Sequence, residues 1–329
     1  MTTATTTSWQ DLADRALAGA PLGEADALAV LQSDDNELLD LLAAAYRVRR
    51  HWFGNRVILN QLINAKSGLC GEDCGYCSQS RVSQAEVARY RLLPIPELLD
   101  GARHALQRGA ATYCIVTAGR GPAARELETL TRAVTLIKAE LPLKICVCPG
   151  LLNDEQAQRL ASAGVDRVNH NLNTSEAFYP KICTTHTYQD RLATLRAVRA
   201  AGMEICSGGI VGMGESDADV VELALRVGQL RVESVPVNFF IPVAGAAITD
   251  QGRLNPRYCL KVLALFRFAN PAGELRIAGG RELHLGPLQP LGLYAANSIF
   301  LGDYLTTKGQ AAEEDHRMIE ALGFEPVVV

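Results

Sequence analysis

Apolar residues recur along the chain with two spacings, and the spacing changes near residue 56. Up to about residue 50 they follow the period of amphipathic helices, as in ADALAVLQSDDNELLDLLAAAYRVRRHWFG, which ends at a glycine. From about residue 56, short β-branched or apolar runs alternate with longer amphipathic stretches. The pattern therefore predicts an N-terminal helical extension over residues 1–50, followed by one domain over residues 51–329.

Eight of the short runs have the length and composition of strands. They cover residues 57–66, 111–117, 143–149, 165–172, 203–211, 234–240, 274–280 and 297–302. The segments between them, such as IPELLDGARHALQRG and YQDRLATLRAVRAAG, have helical spacing. Strands that alternate with helices in this way indicate an α/β fold, and eight of them predict a (β/α)8 TIM-type barrel.

Composition and charge exclude several classes of protein. The 329 residues are 48% hydrophobic and 21% charged, which is typical of a globular protein. The formal net charge of −4 provides no basic field that would attract nucleic acid. No apolar run approaches the roughly 20 residues that a membrane-spanning helix needs, and no basic-then-apolar signal opens the chain. We therefore expect a cytoplasmic protein with neither nucleic-acid nor membrane partners.

Three of the nine cysteines, Cys70, Cys74 and Cys77, share the glycine-rich stretch SGLCGEDCGYCSQS. In a reducing compartment, grouped cysteines are more often metal ligands or catalytic thiols than disulfides. Thiolates suit soft metals, either zinc or an iron–sulfur cluster. A structural zinc ion usually has four protein ligands, and this loop has no fourth Cys or His. A [4Fe–4S] cluster on three thiolates would leave one iron open to a substrate, while zinc and unligated thiols are the alternatives.

Alternation along the predicted strands places polar and thiol side chains on one face. Cys146 and Cys148 lie opposite the apolar side chains of LKICVCP. Asn169, Asn171 and Asn173 likewise share one face of VDRVNHNLN. The apolar faces would pack on the outer helices, so these polar faces would point into the barrel. Barrel interiors usually hold branched aliphatic residues, and active sites lie at the carboxyl ends of the strands. We therefore predict a ligand cavity at that end.

Several longer stretches resemble a known family. They are NHNLNTSEAFYPKICTTHTYQDRLATL, CSGGIVGMGE, SVPVNFF and GGRELHLGPLQPLGLYAANSIFLGDYLTT, together with GLCGEDCGYCSQS and YCIVTAGRGP. From about residue 10 to the C-terminus, the chain resembles the biotin synthase family of radical S-adenosylmethionine (SAM) enzymes. In that superfamily, a C-x3-C-x2-C loop after the first barrel strand holds a [4Fe–4S] cluster whose open iron chelates SAM.

The resemblance implies a sulfurtransferase that converts dethiobiotin to biotin by placing one sulfur between two unactivated carbons. Because such C–H bonds are too strong for acid–base chemistry, a cofactor must carry the hard step. It implies that a reduced [4Fe–4S] cluster cleaves SAM to a 5′-deoxyadenosyl radical, and that a second cluster, usually [2Fe–2S], supplies the sulfur. It also implies a flavodoxin- or ferredoxin-type reductant and a homodimer.

Two other classes of protein are possible. One is a different radical SAM maturase or lyase that donates no sulfur, and the other is a zinc-binding or electron-transfer module that is not an enzyme.

The resemblance assigns residues to the two clusters and to the two small molecules by motif position. The implied [4Fe–4S] ligands are Cys70, Cys74 and Cys77, and the implied [2Fe–2S] ligands are Cys114, Cys146, Cys206 and Arg281. The residues implied at SAM are Tyr76, Asn171, Asn173 and Arg191. Those implied at dethiobiotin are Asn169 and Asn238, because paired amides suit the donors and the acceptor of its ureido ring.

Some of these assignments have alternatives. Arginine is normally protonated and is a weak metal ligand, so Arg281 could instead have a structural or anion-binding role. Cys148 is either a small buried side chain or part of a different form of the second cluster. Asn173 stands where many family members have Asp, and Arg191 could instead be a helix-surface residue. We expect His170 to be a core histidine on the outer face.

Overall fold

The computed structural model describes residues 8–249, 252 and 254–327. The helices are α1 (Trp9–Leu17), α2 (Glu24–Gln32), α3 (Leu38–Phe53), α4 (Ile95–Gln107), α5 (Ala124–Glu140), α6 (Asp154–Ser162), α7 (Tyr179–Ile182), α8 (Tyr188–Ala200), α9 (Asp217–Gln229), α10 (Pro256–Ala269), α11 (Arg281–His284), α12 (Gln289–Ala295) and α13 (Ala312–Ala321). The strands are β1 (Arg56–Lys66), β2 (Thr112–Thr117), β3 (Lys144–Cys148), β4 (Arg167–Asn169), β5 (Glu204–Cys206), β6 (Gly209–Val211), β7 (Ser234–Phe239), β8 (Glu274–Ile277), β9 (Ser298–Phe300) and β10 (Glu325–Pro326).

Eight parallel strands close into a barrel. They pair in the order β1, β2, β3, β4, β5, β7, β8 and β9, and β9 pairs with β1, where Ile58 lies opposite Ser298. Strand β10 pairs with β1 outside this ring. The predicted (β/α)8 barrel is confirmed, and the helical segments lie between the strands as expected.

One predicted strand is interrupted. Residues 203–211 form β5 and β6 with a break at Ser207 and Gly208, and both short strands pair with β7. A Cβ atom at Gly208 would lie 2.1 Å from the carbonyl oxygen of Pro236, so only glycine allows the two chains to approach this closely.

The interior of the barrel has the polarity that alternation predicts. Ile145, Val147 and Val168 are fully buried in the main apolar core, toward the helices. The alternate side chains of the same strands, Cys146 and Asn169, point the other way and line the cavity. Side-chain alternation therefore gives the correct inward face for β3 and β4.

The N-terminal helices pack on the outside of the barrel. Helix α3 contacts α10 and α12, and α2 contacts α9 and α10. Buried Arg49 joins α3 to the barrel, because it donates to the carbonyl oxygens of Arg56 at 2.9 Å and Ala296 at 3.2 Å. Residues 1–7 of the predicted extension lie outside the described residues, and its boundary at residue 50 stays a prediction. Within the described residues, no helix combines the length and apolarity needed to cross a bilayer.

Candidate active site

A cavity of about 410 Å³ lies at the carboxyl ends of the barrel strands. Thr117, Cys148, Asn169 and Asn238, at or near the ends of four strands, line it. The loop after β1 and the loop after β9 complete the wall, and Ser78 Oγ and Thr306 Oγ1 join these loops at 2.9 Å. The cavity therefore lies where the fold places active sites.

The cysteine loop after β1 is held against the segment between α7 and α8. Gly75 N donates to the Ile182 carbonyl oxygen at 2.8 Å. Asp73 Oδ1 accepts from the backbone N–H groups of Thr184 at 2.9 Å and Thr185 at 3.1 Å. Burial alone would raise the pKa of Asp73, but these hydrogen bonds hold it well below its usual value. The loop is therefore anchored by a charged side chain.

The three loop cysteines face one cavity, as the motif predicts. Cys70, Cys74 and Cys77 all line it, and the Cys77 N–H donates to the Cys74 carbonyl oxygen at 3.1 Å in a tight turn. Burial raises the pKa of the Cys70 and Cys77 thiols. Three thiols on one loop that line the same cavity fit a [4Fe–4S] cluster with one iron left for a substrate.

A second set of thiols lies deeper in the barrel. Cys114 on β2, Cys146 on β3 and Cys206 on β5 form a separate buried cluster, and Cys114 is the register partner of Cys146. The neighbouring Cys114 thiol, together with burial, raises the pKa of Cys146 well above its usual value. Leu62 and Phe300 pack against this group of cysteines. This donor set fits a second soft-metal cluster in a dry environment.

The structure does not bring Arg281 to these thiols. Arg281 begins α11, and its Nη2 atom binds both carboxylate oxygens of Asp315, at 2.8 and 2.9 Å. Its Nη1 atom donates to Gln289 Oε1 at 2.7 Å, and the residue is not part of the cavity wall. Arg281 and Asp315 are both buried, and this ion pair favours the structural alternative for Arg281 over a cluster ligand.

Two arginines lie beside the second thiol set, Arg167 on β4 and Arg276 on β8, and of these Arg276 lines the cavity. Its guanidinium lies 4.7 Å from the ring centroid of Phe300, and the side chain lines the cavity. Burial raises the pKa of Cys206, and the positive charge of Arg276 opposes that rise. Alternation along ELRIAGG already places Glu274 and Arg276 on the face opposite Leu275 and Ile277. That signal identifies Arg276, whereas motif position alone selected Arg281.

Buried polar side chains accept hydrogen bonds from the Arg276 guanidinium. Nη2 donates to Asn60 Oδ1 and Ser234 Oγ, both at 3.0 Å, and to Glu274 Oε1 at 2.5 Å. Nε donates to Ser298 Oγ at 3.2 Å. The part of the chain that the structure describes offers no hydrogen-bond acceptor to Nη1. One edge of the guanidinium is therefore fixed, and the other is left for a ligand.

Glu274 is shared between two buried arginines. Its Oε2 atom lies 2.7 Å from Arg167 Nη1, and its Oε1 atom binds Arg276. Although burial opposes ionisation, the two guanidinium groups hold the pKa of Glu274 well below its usual value. The carboxylate therefore stays ionised and partly neutralises the two positive charges beneath the thiols.

The four residues implied at SAM come together beside the first loop. Asn173 Nδ2 donates to Tyr76 Oη at 2.6 Å, and the Asn173 backbone has a φ of 72°, a left-handed conformation that asparagine tolerates. Arg191 Nη1 donates to the Asn171 carbonyl oxygen at 2.8 Å. Arg191 is 8% exposed, so its alternative as a helix-surface residue is wrong.

Asn169 and Asn238 lie on the cavity wall, at or near the carboxyl ends of β4 and β7. Asn169 Nδ2 contacts Cys206 Sγ and Asn171 Oδ1, both at 3.2 Å. Asn238 accepts from Gly279 N and donates to the Gly209 carbonyl oxygen, both at 3.0 Å. Both side chains line the cavity, as expected of substrate contacts.

Cys148 and His170 are further cavity residues, and neither has an assigned role. Cys148 lines the wall but is not part of the Cys114–Cys146–Cys206 cluster, and burial raises its pKa to about 12. His170 is buried, but it also borders the cavity, and its Nε2 atom has no partner among the described residues. Burial lowers the pKa of His170 well below its usual value, so the ring is neutral.

Comparison with protein families identifies two matching regions. Residues 66–227 match the Radical SAM superfamily. Residues 236–325 match the Biotin and Thiamin Synthesis associated domain. The first region contains the two thiol sets, and the second contains Asn238 and Arg276.

Several curated proteins named biotin synthase are similar over nearly the whole chain. The protein from Lysinibacillus sphaericus is 53% identical over 318 residues, which cover 97% of this chain and 96% of the relative. That from Rhodopirellula baltica is 54% identical over 95% of this chain and 88% of the relative. That from Bacillus subtilis is 52% identical over 96% of this chain and 95% of the relative.

Solved structures share the fold at lower identity. A methylornithine synthase is 22% identical with a TM-score of 0.83, over 96% of this chain and 97% of that one. The FeFe-hydrogenase maturase HydG from Carboxydothermus hydrogenoformans is 18% identical with a TM-score of 0.82, over 97% of this chain and 79% of that one. On the strength of its relatives and of the two matching regions, the chain belongs to the biotin synthase family of the radical SAM superfamily.

Proposed function

We propose that this enzyme inserts one sulfur atom into dethiobiotin to form biotin, the last step of biotin biosynthesis, with SAM as cosubstrate. The observation that carries the proposal is the presence of two separate three-thiol sets at one cavity. Cys70, Cys74 and Cys77 line it, and so do Cys114 and Cys146 of the deeper set, against which Cys206 is buried. Relatives that are more than 50% identical over nearly the whole chain are named biotin synthases. Their name implies a [4Fe–4S] cluster, a [2Fe–2S] cluster and SAM as cofactors.

Cys70, Cys74 and Cys77 would hold the first cluster at the mouth of the cavity. When bound, such a cluster supplies the electron that cleaves the sulfonium bond of SAM. Arg191 presents a buried guanidinium whose fork geometry suits the SAM carboxylate. Tyr76, Asn171 and Asn173 offer hydroxyl and amide groups on the same wall for the rest of the molecule.

Cys114, Cys146 and Cys206 would hold the second cluster, with Arg276 in place of Arg281 as the arginine. When bound, this cluster supplies the sulfur atom. Arg276 lines the cavity, its Nη1 atom has no hydrogen-bond acceptor among the described residues, and its Nη2 atom is held by Glu274 and its neighbours. A maturase or lyase that donates no sulfur has no need of this second thiol set, so the set favours sulfur insertion.

Asn169 and Asn238 would bind the ureido ring of dethiobiotin between the two clusters. Their amides each offer a donor and an acceptor, as the ring does. Phe239 and Phe240 line the same cavity and would exclude water from the reacting carbons. The substrate would thus lie within reach of both cofactors.

Further parts of the proposal concern partners and location. All nine cysteines are free thiols, which favours a reducing cytoplasm. Leu69, next to Cys70, is 48% exposed, so a flavodoxin- or ferredoxin-type reductant could approach the first cluster there. Leu39 and Trp52 on α3 are exposed apolar side chains that a homodimer interface would cover. A helical extension that ends near residue 50 completes the proposed organisation.

Product analysis tests the function. The enzyme is reconstituted with iron and sulfide without oxygen, then given dithionite, SAM and dethiobiotin. We expect biotin, methionine and 5′-deoxyadenosine, and we expect none of the three from Cys70→Ala. Cleavage of SAM without biotin would indicate a radical enzyme of another kind, and a colourless, inactive protein would contradict the proposal.

A further inference from the structure

A cysteine and a histidine beside the first loop have no role in the proposed function. Cys183 and His186 lie in the segment CTTH between α7 and α8, and both approach Cys74. The Sγ atoms of Cys74 and Cys183 are 3.6 Å apart, and Cys183 Sγ lies 3.3 Å from His186 Nδ1. One ligand atom from each of the three residues lies within 4.8 Å of the other two.

The spacing of these atoms fits a single metal ion. Two sulfurs bound to one tetrahedral zinc ion at about 2.3 Å are separated by about 3.7 Å, close to the observed distance between Cys74 and Cys183. Thiolate and imidazole are the ligands that zinc prefers. The exposed fractions of Cys74, Cys183 and His186 are 8%, 3% and 7%, and Cys74 and His186 also line the cavity, from which a water molecule can reach the site.

A carboxylate orients the histidine as it does in many metal sites. Glu72 Oε2 lies 2.5 Å from His186 Nδ1, and Thr185 Oγ1 donates to the same oxygen at 2.7 Å. Because Glu72 occupies Nδ1, Nε2 is the ring nitrogen that can bind a metal. This Nε2 atom lies 3.8 Å from Cys183 Sγ. Arg191 Nη2 now lies 2.9 Å from Nε2, so a bound metal would displace that contact.

We propose that Cys74, Cys183 and His186 bind one Zn²⁺ ion in the cluster-free protein. The ion displaces the protons of the two thiols and takes water as its fourth ligand. Because Cys74 is also a ligand in the proposed [4Fe–4S] set, zinc and that cluster exclude each other. The site itself does not depend on the proposed function, since Cys183 and His186 lie outside the C-x3-C-x2-C motif.

Competition with a chromophoric zinc chelator measures the zinc affinity of the site. The protein is first freed of iron under anaerobic conditions. Every variant also carries Cys146→Ala, which disrupts the deeper thiol set as a competing site. We expect Cys183→Ala and His186→Gln to bind zinc about 100-fold more weakly than their parent, because each loses a direct ligand. Cys259→Ala, which removes a buried thiol on α10, is the matched control and should bind zinc as the parent does.

Loading of the first cluster, followed by electron paramagnetic resonance after reduction, separates the two sites. We expect Cys183→Ala to load that cluster and lose the zinc site, and Cys70→Ala to do the reverse. Equal zinc affinity in Cys183→Ala and its parent would overturn the proposal. So would a loss of zinc affinity in Cys70→Ala as large as that in Cys183→Ala, because the loop thiols would then hold the zinc.

Two checks keep these results interpretable. Circular dichroism and thermal melting establish that each variant is folded, and Cys183→Ser replaces Cys183→Ala if the alanine variant is not. Failure of every variant to load a cluster would contradict the proposed function, whereas the zinc measurement would still stand.

Discussion

Asn169 Nδ2 lies 3.2 Å from Cys206 Sγ, so a candidate substrate residue directly contacts the deeper thiol set. The contact follows from the sheet, because Asn169 on β4 is the register partner of Cys206 on β5. The same amide nitrogen lies 3.2 Å from Asn171 Oδ1, on the wall proposed for SAM. One side chain therefore connects the site that would generate the radical with the site that would supply the sulfur.

Replacement of Asn169 by alanine should weaken substrate binding without loss of either cluster. One hydrogen bond to the ureido ring contributes about 1 kcal/mol, so we expect the KM for dethiobiotin to rise roughly tenfold or less. Steady-state kinetics and iron content measure the two effects. Asn270→Ala, which removes an amide bonded to the Val232 carbonyl oxygen outside the cavity, is the control. Loss of cluster iron in Asn169→Ala would show that this amide is needed for cluster assembly.

Alanine at Cys114, Cys146 or Cys206 should abolish biotin formation and leave SAM cleavage. Each variant loses one ligand of the second cluster but keeps the loop that holds the first. Iron and sulfide content, together with the electron paramagnetic resonance signal of the reduced first cluster, distinguish loss of the second cluster from loss of the first. Cys259→Ala should retain both clusters, because that thiol is buried in α10. If all three variants still made biotin, the second site would be elsewhere.

Replacement of Arg276 should change the spectrum of the second cluster, whereas replacement of Arg281 should change the stability of the fold. Arg276→Met should change the absorption spectrum of the second cluster, while Glu274 keeps its contact with Arg167. Arg281→Met should leave that spectrum unchanged and lower the free energy of unfolding by about 3–5 kcal/mol, because it leaves the buried Asp315 without its partner. Visible spectroscopy and urea denaturation provide the two measurements. A spectral change in Arg281→Met alone would restore the assignment based on motif position.

Glu274→Gln should destabilise the protein in a pH-dependent way. At neutral pH we expect a loss of about 3–5 kcal/mol, because two buried guanidinium groups lose their shared carboxylate. The pKa of Glu274 is depressed in the folded state, so its contribution is present above the usual value of 4.5 and is lost as the pH falls below it. The difference in unfolding free energy between wild type and variant should therefore be largest near neutrality and shrink below about pH 4.5.

Urea denaturation of wild type and Glu274→Gln across this pH range checks the sign. Asp315→Asn, at another buried carboxylate that pairs with an arginine, tests whether any pH dependence belongs to Glu274. A constant difference from neutral to acid pH would mean that the Glu274 carboxylate has an ordinary pKa.

The barrel and its inward face could be predicted because both depend on local patterns. The periods of two and 3.6 residues are short enough to be read from single segments, such as LKICVCP and YQDRLATLRAVRAAG. Alternation placed Cys146 and Asn169 inside without knowledge of their neighbours. The interruption between β5 and β6 was missed, because it depends on how closely Gly208 approaches Pro236, two residues that are distant in sequence.

The site was predictable where a motif and alternation agreed, and not where contacts join distant segments. Motif position selected Arg281, but the carboxylate of Asp315, 34 residues later, holds that side chain away from the cavity. Cys74 and Cys183 are 109 positions apart in sequence. They meet because Asp73 accepts hydrogen bonds from the backbone that follows Cys183. Contacts of this kind, between residues far apart in sequence, are visible only in the folded structure.

Isotopic labelling of the cluster sulfide, combined with Cys114→Ala, tests whether the deeper thiol set supplies sulfur to a substrate that the first set activates. The enzyme is assembled with heavy-isotope sulfide, freed of excess sulfide, and allowed one turnover with SAM and dethiobiotin. We expect mass spectrometry to find the heavy sulfur in biotin from the wild type, and no biotin from Cys114→Ala. Biotin that contains only light sulfur, or biotin formed by Cys114→Ala, would contradict a sulfur source at Cys114, Cys146 and Cys206.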